Sequence, residues 1–149
     1  MLIGGVNVQN FSRLMLVVAA ALVRSDGRVL LHRRALDSLH GGLWEFPGGK
    51  VSDGETPEIA LVRELSEELD IAVQESDLTP VGFASGQIEG TSRPGSLVIL
   101  LYTCARWQGE PRCVEGTDIG WFDRATLGRQ DMPPLDYPLA RQLKALLAS

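Results

Sequence analysis

The first half of the chain alternates between apolar runs and short polar breaks, a pattern that predicts strands joined by turns. Residues 14–24 are apolar almost throughout and rich in valine, which indicates a buried strand. The pair Asp26-Gly27 is a strong turn signal, so we expect a hairpin whose return strand covers residues 28–34. Residues 1–12 show no periodicity and are expected to form a flexible leader.

A short strand, a glycine-rich turn and a helix are predicted next. Residues 44–46 have the aromatic composition of a strand, and Pro47-Gly48-Gly49 predicts a turn with outward-facing carbonyls. Thr56 and Pro57 mark a helix start, because threonine accepts hydrogen bonds at the N-cap and proline suits the first helical position. The helix is expected over residues 57–69, with a buried stripe formed by Leu61, Leu65 and Leu69.

The second half predicts three more strands and a closing helix. Residues 81–89, 97–107 and 118–123 have strand character, and a proline-rich loop that includes Pro133, Pro134 and Pro138 follows them. Residues 139–148 form an amphipathic pattern whose inward positions are Leu139, Leu143, Leu146 and Leu147. The mixture of strands and helices predicts the α/β (α+β) class, with residues 1–149 in one domain.

Acidic residues are concentrated in one stretch of the sequence. The 149-residue chain has a formal net charge of −5, and residues 49–71 alone carry seven acids, two bases and that same net charge. The sequence does not show the basic face of a nucleic-acid-binding protein, so no nucleic-acid polymer is expected as a partner. An acidic block of this kind binds a polyphosphate only through a bridging metal cation.

Two further features bear on location. The longest apolar run, residues 14–23, is too short to cross a bilayer as a helix, and the turn and return strand predicted after it do not fit a signal peptide. The two cysteines, Cys104 and Cys113, are expected to be reduced thiols of a cytoplasmic protein, with a disulfide as the alternative. We expect no membrane partner and either a monomer or a homodimer.

Three glutamates of the predicted helix fall on one face. Glu64, Glu67 and Glu68 are spaced i, i+3 and i+4, so their carboxylates are neighbours that repel one another. A hard divalent cation such as Mg²⁺ converts this repulsion into coordination. The alternative is a solvated acidic surface, and the joint spacing with Gly49 and Arg63 argues against it.

The spacing of the acidic block resembles the box of the Nudix hydrolases, Gly-x5-Glu-x7-Arg-Glu-U-x-Glu-Glu-x-Gly-U, where U is aliphatic. Asp70 stands where the family has glycine, at a helix end that requires a left-handed conformation, with an expected cost of about 1 kcal/mol. Segments 31–35, 43–50, 106–115 and 133–138 are similar to the MutT branch, and the resemblance implies an α/β/α sandwich with a mixed sheet between helices. Eight of the nine fixed positions match, as Gly49, Glu55, Arg63, Glu64, Leu65, Glu67, Glu68 and Ile71.

The resemblance implies hydrolysis of a nucleoside triphosphate to a nucleoside monophosphate and pyrophosphate, with Mg²⁺ as cofactor and Mn²⁺ as a possible substitute. In that family water attacks an internal phosphorus of a diphosphate. The implied general base is Glu64, with Glu67 and Arg63 in the catalytic set, Arg63 as the residue that orients a glutamate. Glu55 is expected to hold loop and helix together. The implied metal ligands are the Gly48 carbonyl and the carboxylates of Glu64, Glu67, Glu68 and Glu115.

Substrate-binding residues are expected outside the acidic block. Among them, Asp136 is the residue expected to decide which nucleobase is bound. The MutT branch reads the base with an asparagine where this chain has Asp136. An ionised aspartate accepts from the amine of a cytosine, whereas a protonated one donates to an oxidised purine. Oxidised dGTP and cytidine-type triphosphates both stay open, and helix capping by Asp136 is the structural alternative. The predicted substrate-binding set is Arg34, Glu45, Phe46, Pro47 and Asp136, with Phe46 as the residue that stacks on the base.

Two other functions share this residue pattern. The same fold could act on another nucleoside diphosphate derivative, such as ADP-ribose or a dinucleotide polyphosphate. A non-catalytic nucleotide sensor would be expected to lose box carboxylates, and all three glutamates of the box remain. His32 and His40 have no predicted role, and Asp53 and Glu58 are expected to be solvated.

Overall fold

The predicted strands and helices are present in the computed structural model, which describes residues 13–148. The predicted leader over residues 1–12 lies outside the described residues. No helix within residues 13–148 is long and apolar enough to span a membrane. The elements are β1 (Leu14–Leu22), β2 (Val29–Arg33), β3 (Trp44–Glu45), β4 (Gly48–Lys50), α1 (Pro57–Leu69), a 3-10 turn (Glu75–Asp77), β5 (Leu78–Gln87), β6 (Ser96–Cys104), β7 (Asp118–Phe122) and α2 (Asp136–Leu147).

The strands form two sheets. The first has the order β4-β1-β6-β5, in which β1 runs parallel to β6 and the other pairs are antiparallel. The second has the order β3-β2-β7 and is antiparallel throughout. The first sheet is therefore mixed, and the predicted α+β class is confirmed.

Successive residues of β1 point into two different cores. Val18, Ala20 and Leu22 pack in the cluster that contains the buried leucines of α1, whereas Ala19 and Ala21 pack in the cluster that contains those of α2. Because side chains alternate between the faces of a strand, both faces of β1 are buried. This burial explains the unbroken apolar run in the sequence and places the sheet between the two helices.

The predicted hairpin of β1 and β2 is correct at its turn and wrong beyond it. The Arg24 amide donates to the Arg28 carbonyl (2.9 Å), and Val23 and Val29 form one antiparallel bridge. From there β1 pairs with β4 and β6, while β2 pairs with β3 and β7. The strands separate because segments distant in sequence pair with both edges of β1. The residues of the turn contain no information about that pairing.

Helix α1 has the predicted bounds and the predicted caps. Its first turn is capped by Thr56, whose Oγ1 accepts from the Ile59 amide (3.2 Å), and Pro57 opens the helix. Leu61, Leu65 and Leu69 are fully buried. Asp70 ends the helix in the left-handed region (φ 57°, ψ 41°), as expected for the position where the family has glycine.

Three local predictions are corrected. Gly48 and Gly49 are not in a turn, because β4 pairs antiparallel with Val17–Ala19 of β1. Helix α2 starts at Asp136 rather than at residue 139, since proline is tolerated in a first turn whose amides lack helical partners. Leu146 of that helix is 47% exposed, not inward.

Candidate functional site

One guanidinium organises the acidic side of α1. Arg63 donates from Nε and Nη2 to the Glu55 carboxylate (2.7 and 2.8 Å), and from Nη1 to Glu64 Oε1 (2.9 Å) and Glu67 Oε2 (3.3 Å). Its Nη2 also reaches the Lys50 carbonyl (3.1 Å) on β4. Hydrogen bonds from Arg63 lower the pKa of Glu55 to about 2, and Glu55 in turn raises the pKa of Arg63. Arg63 therefore binds three glutamates, and its contact with Glu64 agrees with the prediction that it orients a glutamate.

Glu55 and Glu58 both have structural partners. Glu55 Oε1 accepts from the Ser52 amide (3.0 Å) as well as from Arg63, so the prediction that it holds loop and helix together is confirmed. Glu58 is not simply solvated as expected, because its Oε2 accepts from the Tyr102 hydroxyl (2.7 Å) on β6. The Glu58 contact fixes the first turn of α1 against the sheet, and the Glu55 contacts tie the preceding loop to the helix.

Glu68 is the most buried of the three glutamates on α1. It is 7% exposed, and its Oε2 accepts from the Gly48 amide (3.0 Å). Burial raises its pKa to about 8, although the charge of His32 and the Gly48 hydrogen bond oppose the shift. The neighbouring groups stabilise the ionised form of this buried carboxylate poorly. A nearby cation would stabilise it and lower its pKa again.

The donor set of this region suits a hard cation. A Cβ on Gly49 would lie 2.3 Å from the Glu64 carboxyl carbon, so only a glycine lets that carboxylate lie against β4. Among residues 13–148, no three His, Cys, Asp or Glu side chains already converge as a metal centre. Arg63 turns Glu64 and Glu67 toward itself while Glu68 faces the Gly48 amide. The oxygen chemistry fits Mg²⁺ or Mn²⁺, and the ligand assignment itself stays a prediction.

Glu115 is brought close to this face from a distant part of the chain. It lies in the exposed loop before β7, and its charge raises the pKa of Glu64, whose shift comes first from burial. The backbone carbonyl of Glu115 accepts from His32 Nε2 (2.6 Å). The structure thus brings the Glu115 loop close to Glu64 and Glu68 of α1, and the role of Glu115 as a ligand stays a prediction.

A cleft of about 660 Å³ opens beside the acidic face. It continues into a smaller cavity of about 230 Å³ that reaches Gly48 and Gly49. Arg34, Glu45 and Asp136 line both cavities, together with Val17, Lys50 and Ile99. The outer walls come from two loops and from Pro133, Pro134 and Leu135. We use "the cleft" for these two connected cavities.

Glu45 is the central charged group of the cleft. Its two carboxylate oxygens accept from Arg34 Nη1 (3.0 and 3.1 Å), and Arg34 Nε donates to the Leu39 carbonyl (2.6 Å). Its Oε2 lies 3.7 Å from His32 Nδ1, and its charge raises the pKa of both Glu68 and Asp136. Glu45 therefore couples the acidic face electrostatically to the far end of the cleft.

Asp136 is the first residue of α2 and is 5% exposed. Its Oδ2 accepts from the Phe46 amide (3.0 Å), so its carboxyl joins the helix to the β3–β4 connection rather than capping its own helix. Burial, followed by the charge of Glu45, raises the pKa of Asp136 to about 7, against the effects of the Phe46 amide and Arg34. Both protonation states of Asp136 are therefore populated near neutral pH.

The structure assembles most, not all, of the predicted substrate-binding residues. Arg34, Glu45, Phe46 and Asp136 border the cleft. Phe46, however, is 3% exposed and packs in the α2 core, which limits its surface for stacking. Pro47 is buried, accepts from the Ala20 amide (2.8 Å) and is absent from the cleft lining.

Sequence reasoning missed two histidines. His32 is 4% exposed near the end of β2, between Glu45 and the Glu115 loop. The sequence signal for its role was an ionisable residue at the end of an otherwise apolar strand. His40 borders the outer cleft and is hydrogen-bonded to Glu89, which joins the loop before β3 to the loop after β5. No local pattern reports that second contact.

Comparison with known proteins identifies the family to which the chain belongs. The NUDIX domain model matches residues 13–143. The chain is 36% identical over 132 residues to an 8-oxo-dGTP diphosphatase of Escherichia coli K12, covering 88% of this chain and 98% of that relative. It is 34% identical over 137 residues to a CTP pyrophosphohydrolase of the same organism, covering 91% and 96% respectively.

The fold agrees with these sequence matches. The solution structure of the E. coli ORF135 protein superposes with a TM-score of 0.76 at 33% sequence identity, over 92% of this chain and 93% of that one. The names of the two relatives above refer to different nucleotides, 8-oxo-dGTP and CTP.

Proposed function

Since this chain belongs to the NUDIX domain family, we propose that it hydrolyses a nucleoside triphosphate to the monophosphate and pyrophosphate, in sanitation of the nucleotide pool. The observation that supports the proposal most strongly is the position of the acidic face directly beside the cleft. The acidic face of α1 and the cleft meet at Gly48–Lys50, so a nucleotide base in the cleft would direct its phosphates toward Glu64, Glu67 and Glu68.

The residues that would hold a divalent cation are the Gly48 carbonyl, Glu64, Glu67, Glu68 and Glu115. Bound Mg²⁺ would supply charge neutralisation of the triphosphate and a lowered pKa of a coordinated water, and Mn²⁺ is the expected substitute. The dense negative charge of this face makes it unsuitable for a bare triphosphate, because like charges repel strongly where solvent is partly excluded.

Glu64 is the proposed general base. Its Oε1 is held by Arg63 (2.9 Å), which leaves Oε2 to accept a proton from the attacking water. Burial raises the pKa of Glu64, and a higher pKa improves proton abstraction as long as the group stays ionised at working pH. The hydrogen bond and charge of Arg63 lower the pKa of Glu64 and so stabilise its ionised form. Glu55 in turn fixes the orientation of Arg63.

The substrate is proposed to be oxidised dGTP or a cytidine-type triphosphate. Asp136 and Arg34 face the cleft, and the carboxyl of Asp136 both donates and accepts hydrogen bonds near its pKa of about 7. The names of the two relatives, one for each base class, support this range. Glu45 keeps Arg34 in place from the cleft wall.

The compartment is proposed to be the cytoplasm. Cys104 and Cys113 are both free thiols in the structure, in accord with a reducing compartment. A monomer or a homodimer, in one domain over residues 1–149, stays a prediction.

The decisive experiment identifies the products. The purified protein is incubated with Mg²⁺ and, separately, 8-oxo-dGTP, dGTP, CTP, dCTP or ADP-ribose, and nucleotide and phosphate products are resolved by ion-exchange chromatography. Monophosphate plus pyrophosphate from a triphosphate is the expected result. Release of inorganic phosphate with a nucleoside diphosphate, or turnover of ADP-ribose alone, would contradict the proposal.

A further inference from the structure

The loop that carries Glu115 is tied at both ends to the elements of the site. We call residues 112–117 the strap. At its start, the Arg112 amide donates to the Leu69 carbonyl (2.9 Å) and the Val114 amide to the Glu68 carbonyl (3.0 Å), both at the end of α1. At its other end, the Thr117 amide donates to the Arg33 carbonyl (3.0 Å) of β2. The strap therefore bridges α1 and β2 across the acidic face.

His32 holds the middle of the strap. Its Nε2 lies 2.6 Å from the Glu115 carbonyl, and because a carbonyl only accepts, Nε2 carries the proton. The ring is buried, and its own backbone is fixed by pairing with Glu45 on β3 and Ile119 on β7. A donor on such a rigid strand sets the position of the carbonyl that it binds.

Gly116 shows how closely the strap follows the His32 ring. A Cβ at this position would lie 2.3 Å from His32 Nε2 and 2.4 Å from the Arg33 carbonyl oxygen. The residue also has φ +84°, a conformation that favours glycine. The backbone is thus pressed against β2 where Glu115 leaves it, and this contact limits the positions that the Glu115 side chain can reach.

We propose that His32 is a positioning residue, which fixes the backbone of Glu115 so that its carboxylate faces Glu64 at the divalent-cation site. This inference rests on the proposed function, since it assigns Glu115 to the cation site of that function. It requires only the hydrogen bond from Nε2, not a particular charge on the ring. The carboxylate of Glu115 then adds an oxygen ligand from outside α1.

The strap offers a matched control in Cys113. Its thiol donates to the same Glu115 carbonyl (3.0 Å), but Cys113 is exposed, so water replaces the thiol when it is removed. His32 is buried, and no water takes its place as readily. Loss of the two donors should therefore have unequal consequences.

The first measurement is the affinity for Mn²⁺ alone, by electron paramagnetic resonance, with wild type, His32→Leu, His32→Gln and Cys113→Ala. Leucine keeps the bulk and removes the donor, whereas glutamine places an amide donor near the Nε2 position. We expect Mn²⁺ binding about 10-fold weaker in His32→Leu, by analogy with losses from partners that orient metal ligands. His32→Gln and Cys113→Ala should stay within about 3-fold of wild type on the same scale.

The second measurement tests whether His32 acts through Glu115. In the Glu115→Gln background, His32→Leu should have no further effect on Mn²⁺ affinity, because the carboxylate that it positions is gone. Turnover should show a lower kcat with little change in KM for the Mg²⁺–nucleotide. Unchanged Mn²⁺ affinity in His32→Leu, or an undiminished loss in the Glu115→Gln background, would overturn the proposal.

Folding is checked by circular dichroism and thermal melting before each comparison. If His32→Leu does not fold, Gly116→Ala replaces it, because its Cβ would displace the strap from His32 directly. Gly116→Ala is then expected to weaken Mn²⁺ binding, and wild-type affinity in a folded Gly116→Ala protein would contradict the role of the strap. Wild type that binds Mn²⁺ but hydrolyses no triphosphate would refute the proposed function alone.

Discussion

The acidic face and the cleft contain buried acids of similar pKa that are held in different ways. Glu68 on α1 is spaced from Glu64 and Glu67 by helix geometry, and all three come from one short segment. Asp136 meets Arg34 and Glu45 only because the start of α2 folds against the distant segment that carries both of them. The first arrangement depends on helical periodicity and the second on the whole fold. The spacing of the three glutamates on α1 should therefore tolerate distant substitutions better than the surroundings of Asp136 do.

The largest effect is expected from the acidic face. Glu64→Gln removes the proposed base while its amide still accepts from Arg63, so kcat should fall roughly 10³-fold. Asp53→Asn is the matched control, because Asp53 belongs to the same acidic block and is exposed. Steady-state kinetics of pyrophosphate release, with circular dichroism for folding, give the answer. A Glu64→Gln enzyme with kcat near that of Asp53→Asn would remove Glu64 from the base role.

A second prediction compares how Glu68 and Asp136 affect the free energy of unfolding, first without and then with Mg²⁺. Folded-state pKa values of about 8 for Glu68 and about 7 for Asp136 lie above those of the unfolded chain. Each group therefore stabilises the folded state fully below about pH 4, and that contribution is lost as pH rises through its folded pKa. In EDTA above about pH 8, Glu68→Gln and Asp136→Asn should each be more stable than wild type by on the order of 2 kcal/mol.

Mg²⁺ should then distinguish the two variants. A cation that binds the folded state through Glu68 stabilises wild type and Asp136→Asn, but stabilises Glu68→Gln much less. Urea unfolding at several pH values, with and without Mg²⁺, measures both effects. Equal stabilisation of all three proteins by Mg²⁺ would show that the cation binds elsewhere.

Specificity should respond to the cleft rather than to the acidic face. Asp136→Asn makes position 136 a permanent donor and acceptor, so the ratio of kcat/KM for oxidised dGTP to that for CTP should rise about 10-fold. The wild-type ratio should also rise as pH falls below about 7, when Asp136 becomes protonated. Asp37→Asn, at an exposed loop position outside the cleft lining, is the control. An unchanged ratio in Asp136→Asn would exclude base reading by this residue.

The smallest effect is expected at the end of α1. Asp70 already occupies the left-handed region (φ 57°), so Asp70→Gly should raise the free energy of unfolding by no more than about 1 kcal/mol. The ion pair of Asp70 with Arg112 (3.0 Å) is exposed and contributes little. Asp70→Ala should instead destabilise the protein, since alanine lacks this conformational freedom. Thermal melting that shows marked loss of stability in Asp70→Gly would reveal a role for the carboxylate.

Prediction succeeded where a strong signal lies within one element, although the start of α2 and the exposure of Leu146 were predicted wrongly. Thr56, Pro57 and the leucine stripe predicted the bounds of α1, and the turn at Asp26-Gly27 formed where expected. It failed where the partner strand or loop comes from far away. The β1–β2 hairpin separates because β4 and β6 take both edges of β1, and Pro47 is buried outside the cleft lining.

By itself, the sequence determined the spacing of Glu64, Glu67 and Glu68, because a helix of known start converts residue number into direction. It also predicted that Arg63 orients a glutamate and that Asp70 stands at the left-handed helix end. Only the tertiary structure decided that Asp136 is buried against the Phe46 amide and that His32 reaches the Glu115 carbonyl. Those contacts join residues 83 or more positions apart. Hydrogen bonds between a side chain and a distant backbone group produce no periodic pattern in the sequence, so they could not be predicted from it.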